Sequence, residues 1–251
     1  MAKSKHFLEM DGLRGVAAIS VALYHQQPFF GGEAFLGHGY LAVDFFFMLS
    51  GFVLVHAYGE RLRLPGSFVP FVRDRIIRLY PMLIVGAGLG LIVALKGHEA
   101  SLHTSVTSSA VASAINAMGL PDMSSEKPFW INPPTWSLFF ELVANLIFAM
   151  VLFALTFRRL VALTCFLVLA TLALDLHYGS LAFGWTRETI APGLVRVCVS
   201  FFIGVMLHGM HQRGVFANGV KRWWVAPILI ASFALVPTHS PLSILYDVDF
   251  D

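Results

Sequence analysis

Arg14 and His25 stand eleven positions apart in a largely apolar stretch, and Asp44 and Glu141 interrupt two further apolar stretches. On a helix, eleven residues leave a residual rotation of about 20° and a rise of about 16 Å, so the two side chains share one face. Ionisable groups at hydrocarbon depth are expensive and mark a functional site by default. His25 lies about five residues inside the outer end of its stretch, as does Asp44 in the second, and Glu141 enters to a similar depth from Trp136, whose indole suits a membrane interface. Three helices are thus expected to bring an imidazole and two carboxylates to one level. Asn145, one turn below Glu141, faces the same way.

The chemistry follows from proton affinity. Histidine titrates near neutrality, and a carboxylate bonded to its second nitrogen fixes the tautomer and raises basicity, which suits a general base. Proton relays in transporters use the same residue types, so depth alone does not separate an enzyme from a carrier. Plainer readings stand beside both: an imidazole that only bonds a neighbouring helix, and carboxylates that only tie helices together. The opposite side of the membrane discriminates better. Arg73, Arg75 and Arg78 cluster in Arg73-Asp74-Arg75-Ile76-Ile77-Arg78-Leu79-Tyr80-Pro81. Arg75 and Arg78, at i and i+3, are helix-surface neighbours expected to point the same way. Guanidinium forks take phosphate in bidentate fashion, so with Arg14 they compose a possible inner anion site; the alternative is that they anchor a helix to anionic lipid.

The elements that must position these groups are membrane spans. The 251 residues are 57% hydrophobic and 13% charged, against about 25% charged in a soluble domain. Mean hydropathy is +0.73. Seven stretches approach the roughly 20 apolar residues that cross a bilayer: 12–30, 39–58, 77–95, 136–157, 160–178, 192–211 and 223–238. An eighth, Thr104 to Leu120, is diluted by Ser and Thr. If it does not cross, thirteen of the seventeen Lys and Arg collect on one side, against Lys96, Lys127 and Arg187 on the other; if it crosses, the balance falls to ten against six. The positive-inside rule selects the first arrangement, with a cytoplasmic amino terminus in the inner (plasma) membrane. The expectation is therefore an all-α, polytopic transmembrane helical bundle of about seven full spans, forming one membrane domain over residues 1–251. Residues 96–135 become a long outer loop holding an interfacial or re-entrant helix, and loops of that length are usually functional.

Other signals carry less. The net charge of +2 comes from loop residues rather than a basic face with aromatic platforms, so nucleic acid is not an expected partner. Cys165 and Cys198 are isolated in apolar runs, and no removable signal peptide is read at the amino terminus. Gly86-Ala87-Gly88-Leu89-Gly90 follows no strand and reads as a helix-packing pair, Gly86 and Gly90, rather than a nucleotide loop. His208 and His211 have metal-compatible spacing but no third ligand nearby and read as interfacial; no metal is expected. Ser50 lacks a nucleophile elbow and reads as a packing residue. Phe45 to Phe47 read as span material that could also line an acyl pocket.

Four ordered motifs over Glu9 to about Asn145 resemble the acyltransferase-3 family of membrane O-acyltransferases, which includes O-antigen and other polysaccharide acetylases. They are Asp11-Gly12-Leu13-Arg14-Gly15 with His25 at R-x10-H spacing; Val43-Asp44-Phe45-Phe46-Phe47-Met48-Leu49-Ser50-Gly51-Phe52; Arg75-x-x-Arg78 followed by Pro81; and Trp136-Ser137-Leu138-Phe139-Phe140-Glu141. Arg196, Phe201 and Gly204 are similar to a later, looser family pattern. The resemblance implies an acyl-CoA donor, acetyl-CoA first among them, on the cytoplasmic side and a hydroxyl acceptor on a carbohydrate or glycolipid on the far side. It implies His25 as catalytic base or acyl relay, and Arg14, Arg75 and Arg78 as holders of the CoA phosphates. Asp44 and Glu141 would orient His25 or meet the acceptor. Family members have about ten spans, so the chain is expected to lack the last three. The rival reading from another class is a proton-coupled transporter or exporter of a lipid-linked sugar, with His25, Asp44 and Glu141 as relay.

Overall fold

In the computed structural model, the described residues are 8–26, 39–98, 105–179 and 183–215. They are all-helical: α1 (Leu8–His25), α2 (Leu41–Tyr58), α3 (Phe68–His98), α4 (Val106–Ala117), α5 (Thr135–Val151), α6 (Phe157–Tyr178) and α7 (Ile190–Gln212). Five of these are long and apolar enough to cross a membrane, namely α2, α3, α5 with its 3-10 extension to Ala154, α6 and α7. α1 is expected to span but carries Glu9, Asp11 and Arg14 within its 18 residues and ends at His25 rather than five residues beyond it. The expected span at 223–238 lies outside the described residues. α4 has 12 residues, about 18 Å, too short to cross.

The chain forms two compact units. The first holds Met1–Gly59, Leu155–Ala182 and Arg196–Asp251, the second Glu60–Ala154 and Phe183–Val195. In the first, α1 meets α2 through Ala17 and Ala42, both fully buried, with Val21, Leu41, Phe45 and Phe46 packed around them. The Phe45 and Phe46 rings thus serve the α1–α2 contact. α2 and α7 touch almost backbone to backbone: a Cβ on Gly51 would strike the Phe201 carbonyl oxygen, and one on Gly204 the Met48 carbonyl oxygen. With no aqueous drive to pair helices in lipid, small residues at such crossings supply the van der Waals contact. Gly204→Ala is therefore expected to cost about 1–3 kcal/mol by overpacking. Unfolding in detergent with an unchanged midpoint would show that α2 and α7 do not approach so closely.

In the second unit, α4 runs back along α3. Ser113 Oγ donates to the Ala87 carbonyl at 3.1 Å, and Gly119 faces Leu83. The return segment is stapled by Asn116, fully buried, whose amide donates to the carbonyls of Leu120 at 3.1 Å and Pro128 at 3.0 Å. The Gly86 and Gly90 pair does pack closely, but its partner is not a helix. A Cβ on Gly90 would strike the Ile131 carbonyl and one on Gly86 the Asn132 side chain, so these glycines seat the chain entering α5. The segment before α7 also docks on α5: Gly184, at φ +109°, and Gly193 lie against Phe140, leaving no room for side chains.

Candidate functional site

The first unit brings His25 and Asp44 to one end of the α1–α2 pair. His25 is exposed on the last residue of α1, its ring edge-on to Tyr24 at 5.3 Å. Tyr24 in turn meets Tyr40 at 6.4 Å, just before α2. Asp44 lies one turn into α2. Arg196 of α7 clamps the carboxylate: Nε donates to Oδ1 at 3.0 Å and to Oδ2 at 3.1 Å, and Nη2 to Oδ2 at 2.5 Å. Ser200, one turn on, adds Oγ to Oδ1 at 3.2 Å. The same guanidinium donates to the Tyr40 carbonyl at 3.3 Å and lies over the Tyr40 ring at 5.4 Å. The hydrogen bonds of Asp44 thus tie α2 to α7. A carboxylate with 16% of its side chain exposed needs a countercharge, and Arg196, at 7%, supplies a bidentate one.

Asp175 of α6 was not among the sequence candidates, yet it is 3% exposed and close enough to act electrostatically on Tyr40. The signal was present, since it is an acid near the end of an apolar helix. One end of this unit thus holds His25, Tyr24, Tyr40, Arg196, Asp44, Ser200 and Asp175. Arg14, eleven residues back along α1, keeps part of its guanidinium on Asp11 at 3.3 Å.

The second unit carries the remaining candidates. Arg75 and Arg78 do not share an environment: Arg75 is 7% exposed with its guanidinium 5.8 Å from the Phe71 ring centre, whereas Arg78 is exposed. Three residues on a helix differ by about 60° in direction, enough to place one in packing and its neighbour at the rim. Asp74, between Arg73 and Arg75, pairs with Arg61 at 3.6 Å. On α5, Glu141 is half-buried and Asn145, one turn on, is fully buried. Neither polar atom of the Asn145 amide has a hydrogen-bond partner among the described residues. Buried polar groups without partners are rare and call for an explanation. Arg14 and His25 belong to one unit, and Arg75, Arg78 and Glu141 to the other.

His208 lies in the last turns of α7. It is 7% exposed, packed edge-on to Phe52 at 5.2 Å and against His56 at 5.8 Å, with Gln212 Nε2 at 3.5 Å. No group of three or more His, Cys, Asp or Glu among the described residues has an arrangement that could hold a metal ion.

The sequence matches the family described as an acyltransferase domain over residues 7–246. It is similar to "Protein 2 in picA locus" of Rhizobium radiobacter, 35% identical over 159 residues that cover 58% of this chain and 82% of that protein. No solved structure matches it. The helices long and apolar enough to cross a bilayer and the family match over nearly the whole chain lead to one conclusion: this chain belongs to the acyltransferase-3 family and is a multi-pass membrane acyltransferase.

Proposed function

We propose that this acyltransferase moves an acetyl or other short acyl group from cytoplasmic acyl-CoA to a hydroxyl of a carbohydrate or cell-envelope glycan on the far side of the inner membrane, with the amino terminus cytoplasmic. The observation that carries the reading is the Arg14–His25 pair on a single unbroken helix. Its eleven residues rise about 16 Å, a distance an extended pantetheine arm covers. In this reading Arg14, Arg75 and Arg78 hold the CoA phosphates, and positioning supplies much of the rate. His25 removes the proton of the acceptor hydroxyl, whose oxygen attacks the thioester carbonyl carbon. The C–S bond breaks, the acyl group remains on oxygen as an ester, and the CoA thiolate leaves with the proton from His25. The Arg196–Asp44 pair acts as a positioning element behind Tyr40 and Tyr24, and Glu141 with the unpartnered Asn145 amide suits a polar group of the acceptor.

Protein reconstituted in vesicles with radiolabelled acetyl-CoA tests this. Label appearing on an extracted glycan is the expected result; flux driven by a pH gradient with no label transferred would favour a transporter. The arginines have their own test. Each charge-assisted contact to phosphate contributes about 1.5–3 kcal/mol, so Arg75→Ala or Arg78→Ala alone is expected to weaken CoA binding by on the order of tenfold to a hundredfold, and the double change by more than either. Calorimetry showing unchanged affinity for both CoA and dephospho-CoA would remove their phosphate role.

A further inference from the structure

The segment between α3 and α5 has a core of its own, in which Pro128, Phe129 and Ile131 are buried. Beside that core lies a cleft of about 620 Å³ lined by Ser105, Thr107, Ser108, Asp122, Ser125 and Trp130, among others. The volume falls within the range of about 300–1,000 Å³ typical of small-ligand sites. α4 runs antiparallel to α3 with Ser113 level with Ala87, so at equal rise Ser105 falls level with roughly residue 95. The cleft therefore sits near the far end of α3, about 25–30 Å along the axis from the Arg75–Arg78 level.

The chemistry of the lining is selective. Hydroxyls predominate, there is one carboxylate, one indole and no Lys or Arg. An anionic ligand would meet Asp122 with no compensating cation, so charge disfavours phosphates and acidic lipids. Asp122 is 7% exposed, and only half of its carboxylate is engaged: Oδ1 accepts from the Ser124 amide at 3.1 Å and the Ser124 hydroxyl at 2.6 Å. Oδ2 has no hydrogen-bond partner among the described residues. A buried carboxylate that lines a cleft and has an unused oxygen can accept from a ligand donor, and an ionised acceptor makes the stronger bond. Trp130, half-buried, offers a large apolar surface beside it. Neutral saccharides present both features at once, hydroxyl donors around the ring edge and an apolar C–H face.

We infer that this cleft is a docking subsite for a neutral saccharide unit of the acceptor, with Asp122 Oδ2 receiving a sugar hydroxyl and Trp130 lying under a sugar face. This deepens the glycan reading above and rests on it. The test uses the full chain in nanodiscs and saturation-transfer NMR with maltotriose, chitotriose and methyl α-glucoside as probes. Saturation transfer to at least one probe is expected, with affinity reduced at least tenfold by Asp122→Asn and by Trp130→Ala and largely kept by Trp130→Phe. In the transfer assay, Asp122→Asn should raise the acceptor KM while CoA affinity stays at the wild-type level. Absence of transfer to all three probes in protein that still binds CoA, or probe affinity unchanged in both Asp122→Asn and Trp130→Ala, overturns the inference. Saccharide binding lost in those variants, in protein that transfers no acyl group to any glycan, upholds the cleft and sinks the proposed reaction instead.

Discussion

Replacing His25 by Ala is expected to cut acyl transfer by on the order of 10²- to 10⁴-fold, the usual contribution of a positioned general base. The chain should still insert and fold. His25 is exposed at the last residue of α1, and its ring makes an edge contact with Tyr24, so the substitution removes little buried surface. A purely structural imidazole at such a site would be close to silent, because surface changes away from special features stay within about 0.5 kcal/mol. His25→Gln, which keeps a hydrogen-bonding side chain but does not titrate, should be as inactive as His25→Ala. The measurement is single-turnover transfer of label from acetyl-CoA, with CoA affinity and thermal midpoint recorded on the same samples. Turnover at the wild-type rate in either variant ends the assignment.

The second large effect concerns the pair that ties α2 to α7. Removing one partner of a buried ion pair leaves the other charge uncompensated, at about 3–5 kcal/mol. Arg196→Ala strands Asp44, and it also releases the Tyr40 carbonyl and the face of the Tyr40 ring. Asp44→Asn weakens the same clamp while keeping its shape. The combination Asp44→Asn with Arg196→Gln should cost less than the two single changes summed, with a coupling of more than about 1 kcal/mol, because contacting partners are not additive. Unfolding midpoints in detergent decide this. Strict additivity would mean the clamp contributes no net attraction, leaving Ser200 and the Gly51–Gly204 crossing to hold the two helices.

The pair also illustrates what was legible in the chain and what was not. Asp44 stood out because an acid in an apolar helix is costly. Its partner is 152 residues away, and nothing near either residue in sequence announces the other. Arg196 was visible only as a loose motif position. Asp175 carried the same signal as Asp44 without a motif around it. Arg75 and Arg78 show the converse: their spacing was read as a common direction, and packing against Phe71 buries one while the other remains exposed.

The sequence by itself determined the helical class, the membrane setting, the positions of α2, α5, α6 and α7 to within a few residues, and the short helix that fails to cross. Hydropathy is additive along the chain, and each helix satisfies its own backbone hydrogen bonds, so these features need no information from distant residues. The tertiary structure alone decided that Asp44 answers to Arg196, that Gly51 and Gly204 bring two backbones together, that Gly86 and Gly90 seat a loop, and that Asp122 lines a cleft with only one of its oxygens bonded. Those outcomes depend on the rotation and register of one element against another, which are chosen by close packing across tens of residues rather than by any local pattern.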